Sequence, residues 1–452
     1  MDRLPINLIQ YCIFDKFDFL TQIRFKQISK WLNRIQIHNA YYNIDSKYLT
    51  RLSDKILVNY NKLRYLYAYN NTKIKNINHM TNLKILNASG LSCAINDNSI
   101  KNLNLIELNA ENNSRITNIT HMNKLQILNA SGFYCRIDDN CIKDLNLIKL
   151  RAKNNQKITN INHMTNLQML NASHKCGIND DGIKYLNLIK LNASNNRKIT
   201  NVNHMTKLKI LDASSLCGID DNGIKDINLI KLNVTDNPRI TNVNHMTNLQ
   251  ILYASGWSCE IGDDGINNLN LIELYAWNNR KLTNVNNMTN LQILDASGKF
   301  SHISDDSIKH LNLIELHISN NPRIINISHM TNLKILDASG DCGIDDNCIK
   351  NLNLIKLYAR NNPSVTNINH MTNLQILNAS GHFCGLHNNG IKNLNLIKID
   401  ASNNSKIKNV SYMTNLKILN ASGEDCGLTD NGIKNLNLIK LFASQNPKIT
   451  KK

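Results

Sequence analysis

One phrase keeps returning along this chain. His-Met-Thr-Asn-Leu or a close variant places a Met at positions 80, 122, 164, 205, 246, 288, 330, 371 and 413, in steps of 42, 42, 41, 41, 42, 42, 41 and 42 residues. A chain of 452 residues would ordinarily divide into two or three compact domains, but a period this constant overrides that prior. The fold has to be built by stacking one unit on the next.

Each unit divides in two. One half reads Leu105-x-x-Leu108-x-Ala110-x-x-Asn113-x-x-Ile116-x-x-Ile119. The other reads Leu125-x-x-Leu128-x-Ala130 and continues to Cys135-x-Ile137-x-Asp139-x-x-Ile142. In Leu-x-x-Leu-x-Ala the last Leu and the Ala are two apart, so both face the same side of a short strand. A single unit cannot bury that side. Stacked units can, as a parallel solenoid cored by columns of Leu, Ile and Ala. Three residues after the first-half Ala stands Asn71, Asn113, Asn155, Asn196, Asn237, Asn279, Asn321, Asn362, Asn404 or Asn446, without exception. A buried amide there both donates to and accepts from backbone leaving the sheet, which makes this a structural column.

Both halves resemble leucine-rich repeats, the first of a short 20-residue kind and the second of the cysteine-containing kind. The resemblance runs from about Leu63 to Thr450 and spans roughly 19 strands. It implies an α/β solenoid: a curved parallel sheet with a concave strand face and a short helical or irregular convex side. The Cys stands four or five residues after the Ala, later than the family's usual third position.

Cys93, Cys135, Cys176, Cys217, Cys259, Cys342, Cys384 and Cys426 recur once per unit, with Ser301 in the ninth place. Equivalent positions lie two strands apart, about 10 Å. A disulfide needs Cα atoms within about 7 Å and zinc needs ligands near 2.3 Å, so buried free thiols are expected. The same spacing forbids shared coordination by His79, His121, His163, His204, His245, His329 and His370, which are placed on the convex surface. Lys101, Lys143, Lys184, Lys225, Lys309, Lys350, Lys392 and Lys434 mostly follow an Asp by four residues: Asp97, Asp139, Asp180, Asp221, Asp305, Asp346 and Asp430. Asp-x-x-Ile-Lys reads as a helical turn capped by Asp, with Lys facing it one turn later. A second basic column, Lys73, Arg115, Lys157, Lys198, Arg239, Lys281, Arg323, Lys406 and Lys448, lacks such partners and is placed along one rim, solvated or available to phosphate or acidic protein. No aromatic platform is interleaved with it, which disfavours nucleic acid. No phosphate-binding loop, nucleophile elbow or His-Glu-x-x-His pair occurs. The expectation is no catalytic constellation, no metal and no cofactor.

Recognition falls to what varies. The outward residues of the first-half strands change from Tyr65, Tyr67 and Tyr69 to Glu107, Asn109 and Glu111, then Lys149, Arg151 and Lys153. Later come Glu273, Tyr275 and Trp277, then Glu315, His317 and Ser319, then Lys356, Tyr358 and Arg360. Second-half strands are plainer, Tyr253 excepted. Aromatic and Arg side chains on a rigid surface carry binding energy well. Tyr253, Tyr275 and Trp277 with the loop residue Trp257 form the principal candidate patch for a protein partner. Tyr358, Arg360 and Phe442 extend the same face.

The first fifty residues have a different chemistry. Leu8, Ile9, Cys12 and Ile13, then Ile23, Ile28, Trp31 and Leu32, suit short amphipathic helices, with Pro5 near a helix start. The segment is similar to an F-box: Leu4-Pro5 matches the opening Leu-Pro, Leu8, Ile13 and Leu20 match apolar positions, and Ile28-Ser29-Lys30-Trp31 matches the ending, with Trp31 one position early and Phe17 and Phe25 replacing the usual aliphatics. The resemblance implies a small all-α module in which Leu4, Pro5, Leu8, Ile13, Leu20, Ile28 and Trp31 bind the adaptor of a cullin-RING ubiquitin ligase. The expected organisation is residues 1–40 as the F-box-like module, 41–62 as a helical linker and cap, and 63–452 as the solenoid.

The N-terminus is charged and lacks a signal-peptide cleavage site, and no stretch approaches the roughly 18 apolar residues of a membrane span. Asn-Ala-Ser tripeptides such as Asn87 to Ser89 recur, and in a secretory compartment sugars would crowd the repeats. A cytoplasmic or nuclear location without membrane is expected, in the host cell if the source is viral. Heavy use of Asn, Ile and Lys points to an AT-rich genome, such as that of a protist or large DNA virus. The balance of 52 Lys and Arg against 34 Asp and Glu, +18, favours acidic partners or solubility.

The reading is a non-enzymatic substrate receptor of an SCF-type ligase, partnered by adaptor, cullin and an unknown protein substrate. The alternatives are a free-standing interaction scaffold whose N-terminal helices only cap the solenoid, and, more weakly, an RNA or acidic-surface binder.

Overall fold

The computed structural model describes residues 52–58 and 61–450, together with the backbone of strand Asn39–Ala40. The F-box-like segment, with Leu4, Pro5, Leu8, Ile13, Leu20, Ile28 and Trp31, lies outside the described residues. Two compact units divide the chain, one ending at Ile227 and the other beginning at Asn228.

In the first unit each Leu-x-x-Leu-x-Ala segment gives a three-residue strand, from Tyr65–Tyr67 and Ile85–Asn87 to Lys190–Asn192 and Ile210–Asp212. Every strand is parallel to the next, with Leu opposite Leu, as in Leu86↔Leu108 and Leu108↔Leu128. Asn39–Ala40 pairs with Tyr65–Tyr67 through Asn39↔Tyr65, so the sheet includes a strand ahead of the repeat recognised at Leu63. The second unit runs the same way from Lys231–Asn233 to Lys440–Phe442, with Leu252↔Leu274 and Leu274↔Leu294. The middle Leu and the following Ala are buried, while the strand residues on either side of that Leu are mostly partly exposed. Each unit is thus a leucine-rich-repeat solenoid, cored by the columns that the period-two argument places inside.

The Asn column satisfies the backbone where the chain leaves the strand. Asn404 is 1% exposed; its Nδ2 donates to Ala379 O at 2.7 Å and Leu386 O at 3.2 Å, and its Oδ1 accepts from Lys406 N at 2.8 Å and Ile407 N at 3.2 Å. Asn113, Asn155, Asn279 and Asn321 make the same cross-turn pair of donations. The residue just before each column Asn has a left-handed backbone: Asn70, Asn112, Asn154, Asn195, Asp236, Asn278, Asn320, Asn361, Asn403 and Gln445 have φ between 50° and 60°. Asn and Asp tolerate that region best after Gly, which accounts for the recurring Asn-Asn pair. The loop beyond the next strand closes against it: at Gly90, φ +100°, a Cβ would lie 2.1 Å from Asn70 Oδ1.

The Asp column works differently from its sequence reading. The helix cap is the residue before it: Asn96 accepts from Ser99 N, Asp138 from Cys141 N, Asp345 from Cys348 N. In these three helices the column Asp occupies the first helical position, and along the column the carboxylate reaches the following repeat. Asp97 Oδ1 accepts from Thr117 N at 2.7 Å and Asn118 N at 3.0 Å; Asp139, Asp180 and Asp346 treat their counterparts alike. Backbone N–H groups in an irregular segment are stronger partners for this carboxylate than a solvated Lys ammonium, so Asp clamps repeat to repeat rather than neutralising Lys.

Candidate recognition surface

The recurring titratable groups are architectural. His121, His163, His204, His329 and His370 each place Nε2 3.0–3.3 Å from the carbonyl of an Ile one turn back, at Ile100, Ile142, Ile183, Ile308 and Ile349. Where the column carries Tyr412, its hydroxyl donates to Ile391 O at 3.0 Å, and where it carries Asn287, the amide donates to Asn267 O. The column selects a polar side chain that can donate to a carbonyl of the preceding turn. The column thiols are free and buried, and Sγ of Cys93, Cys384 and Cys426 donates to an Ala carbonyl at 3.4 Å. Burial pushes the Cys135 and Cys259 thiols up to about 12, so they are inert. Among the described residues no group of His, Cys, Asp or Glu is arranged to hold a metal.

Variation concentrates on the strand face and on the loop between the second-half Ala and the Cys column. In the second unit, register sets Tyr253 directly opposite Tyr275. Neighbouring strands are about 4.8 Å apart, and the rings stack at 4.3 Å and 5°. Lys231 Nζ lies 4.7 Å from the Tyr253 ring centre and 3.3 Å from its hydroxyl. The Tyr275 hydroxyl donates to Glu273 Oε2 at 3.1 Å. Burial and then the Glu273 charge raise the Tyr275 pKa, keeping the phenol neutral.

On the loop, Trp257 is 55% exposed and meets Phe300 edge to face at 4.7 Å and 73°. Arg280 lies over both rings, 5.1 Å from Trp257 and 4.7 Å from Phe300. Trp277 is 47% exposed, and its carbonyl accepts from Gly256 N at 2.7 Å, which joins its strand end to the Trp257 loop. The structure therefore brings together two ring pairs and a Trp, braced by Lys231 and Arg280. Such preset aromatics lose little side-chain entropy on contact.

The other candidates stand apart. On the row that holds Tyr275, the register inserts Asp295, His317 and Asp337 before Tyr358. Four strand spacings separate the two tyrosines, about 19 Å. His317 Nε2 is 2.7 Å from Glu315 Oε1 and Nδ1 is 3.9 Å from Asp337 Oδ2. Its pKa is raised to about 9 by Asp337 and by Glu315, the shorter contact, against the opposing effect of burial. Arg360 follows Tyr358 at the strand end, and Phe442, 52% exposed, is on strand Lys440–Phe442. Tyr65, Tyr67 and Tyr69 belong to the first unit, where the last two rings are 6.4 Å apart.

Sequence reasoning missed Phe300 and Arg280, and the exposed loop aromatics Phe133, Tyr134 and Phe383. The signal was the one-residue variation in period. Five residues separate Ala from Cys in the longer loops, as in Ala130 to Cys135, and four in the shorter ones: Ala172 to Cys176, Ala213 to Cys217 and Ala338 to Cys342. The loop that absorbs length changes also displays the variable rings.

Among solved structures, the chain is similar to TLR13 in its complex with ssRNA13, at 16% identity and a TM-score of 0.49, covering 85% of this chain and 72% of that one. It is also similar to the functional domain of InlJ from Listeria monocytogenes, described as including a cysteine ladder, at 19% identity and a TM-score of 0.39, covering 71% and 69%. An internalin, inlF, from Listeria monocytogenes str. 4b F2365 shares 17% identity at a TM-score of 0.29, covering 83% and 86%. No family profile and no curated protein matches the chain. Among the described residues no helix is long and apolar enough to cross a membrane. A solenoid of fixed columns and variable outward residues fits an interaction role.

Proposed function

We propose that the chain is a protein-interaction receptor whose second unit recognises its partner through Tyr253, Trp257, Tyr275 and Trp277. The observation that carries this is the set of preassembled rings, in which Tyr253 interrupts a second-half column that is otherwise Asn or Asp. Buried polar columns leave these rings without a structural duty, and partly exposed aromatics are the side chains that anchor protein interfaces. We further propose that residues 1–40 attach the receptor to a ubiquitin-ligase adaptor and its cullin, so that the bound protein becomes a substrate. This half rests on the F-box resemblance through Leu4, Pro5, Leu8, Ile13, Leu20, Ile28 and Trp31.

Affinity purification of three tagged forms from eukaryotic cells tests both halves. The parent should recover adaptor, cullin and a further protein. Replacing Leu4, Pro5 and Ile28 by polar residues should abolish the first two and spare the third, while Tyr253→Ala with Tyr275→Ala should do the reverse. Recovery of the further protein by the tyrosine variant refutes the recognition site. Absence of adaptor from the parent refutes the ligase assignment and leaves an interaction scaffold.

A further inference from the structure

The first unit carries a cleft of a different character. It has a volume of about 400 Å³ and lies across consecutive turns, between the loop His174-Lys175-Cys176 and Arg197-Lys198, with Leu216 at one end. Two of the shortened loops flank it, Ala172 to Cys176 and Ala213 to Cys217, each lacking the residue that carries a large ring in several longer loops. Three cations line the cleft, Lys175, Arg197 and Lys198, and no carboxylate does.

Among the described residues the charged groups of these three cations have no ion-pair partner. At the position of Lys198 in other repeats, Lys406 Nζ donates to Cys384 O at 3.0 Å, Lys448 Nζ to Cys426 O at 2.9 Å, and Lys281 pairs with Glu260 at 3.0 Å. Lys153 adds to the positive field: burial first and then its charge lower the His174 pKa, against Asp212. The Asp212 carboxylate is already engaged by Ser214 Oγ at 2.6 Å and Asn192 Nδ2 at 3.0 Å. One repeat earlier, Phe133 and Tyr134 are exposed, with Lys175 Nζ 6.0 Å from the Phe133 ring centre.

We propose that this cleft binds a phosphomonoester, with Arg197, Lys198 and Lys175 converging on the phosphoryl oxygens and Phe133 offering an apolar shelf to the rest of the ligand. A guanidinium fork matches phosphoryl geometry, and ammonium groups add point charge. A dianion answers three cations better than a single carboxylate does. The volume is at the scale of small-molecule sites. This inference does not depend on the proposed receptor function.

The test is calorimetric titration of the full chain with inorganic phosphate, AMP, adenosine, a phosphoserine peptide and a short RNA lacking terminal phosphates. Phosphate and AMP should bind at one site and adenosine should not. Tighter binding of the peptide than of AMP would identify a phosphorylated protein as the source, and the opposite order a nucleotide. Arg197→Gln with Lys198→Gln should weaken AMP by roughly tenfold or more, since each removes a charge-assisted contact. Lys398→Gln with Lys440→Gln, an equal charge change in the other unit, should leave it unchanged. Absence of binding by phosphate and AMP overturns the proposal, as do equal losses in the two double variants. So does saturable RNA binding without AMP binding, which would mark a nucleic-acid track. Unchanged thermal unfolding of both double variants separates lost binding from lost fold.

Discussion

Substituting Asn404 by Ala removes four hydrogen bonds at a site 1% exposed and strands the carbonyls of Ala379 and Leu386 and the N–H groups of Lys406 and Ile407. A typical net hydrogen bond contributes about 1 kcal/mol, and a stranded buried group costs about 1–3 kcal/mol. The chain can relax to meet some of these groups with water, so the expected loss is about 3–6 kcal/mol. Asn404→Asp sharpens the test. The charged form retains an acceptor for Lys406 and Ile407 but points a carboxylate at two carbonyls, so it should be the more damaging near neutral pH. Burial disfavours that charge, and the deficit should shrink as pH falls and the acid protonates. Urea unfolding followed by circular dichroism measures both, with Asn393→Ala, at an exposed site whose backbone N–H rather than its side chain makes the local hydrogen bond, as the control within about 0.5 kcal/mol. Repeat proteins lose stability interface by interface, so a separate early phase is the expected form of the loss. A midpoint change worth under about 1 kcal/mol for Asn404→Ala would refute the assignment of this column to the backbone ladder.

Three further outcomes follow from the same geometry. His317 has its folded pKa raised from 6.5 to about 9, so its contribution is fully present below pH 6.5 and is lost as pH rises through 9. The shift corresponds to about 3 kcal/mol, and His317→Ala should flatten the stability profile across that window. His163→Tyr should be tolerated, because Tyr412 already donates to the equivalent carbonyl, whereas His163→Ala should cost about 1 kcal/mol in thermal unfolding. Site-resolved alkylation should leave Cys135 and Cys259 unmodified in the folded chain and reach them in urea, since both are 1% exposed with thiols raised to about 12; rapid native labelling would contradict their burial.

Much of the fold was legible because periodicity is itself a distance constraint. Leu108 and Ala110 had to face one side of a strand, and the unbroken Asn column had to meet backbone that leaves the sheet. The left-handed residues were hidden in plain sight, since Asn112 beside Asn113 reads as composition until the backbone assigns the two different tasks. The Asp column was misread because Asp97 lies four residues from Lys101 along the chain, while its true partners at Thr117 and Asn118 are brought close by stacking. Local spacing cannot reveal a contact made between turns. The recognition surface was half legible for the same reason. Tyr253 and Tyr275 stand out from their columns, but the Trp257, Phe300 and Arg280 cluster joins three successive turns. The cleft beside Arg197 is legible as shortened loops plus unpaired charge once the loop that absorbs the length change is known.

The most direct test of the division between fixed columns and variable face is a substitution scan of residues 252–293, with folded abundance and partner capture scored for every variant. Changes at Leu252, Ala254, Asn279 and Met288 should lower abundance, and capture only in proportion. Changes at Tyr253, Trp257, Tyr275 and Trp277 should abolish capture at normal abundance. The opposite pattern, with column variants abundant and face variants lost to misfolding, would contradict the account.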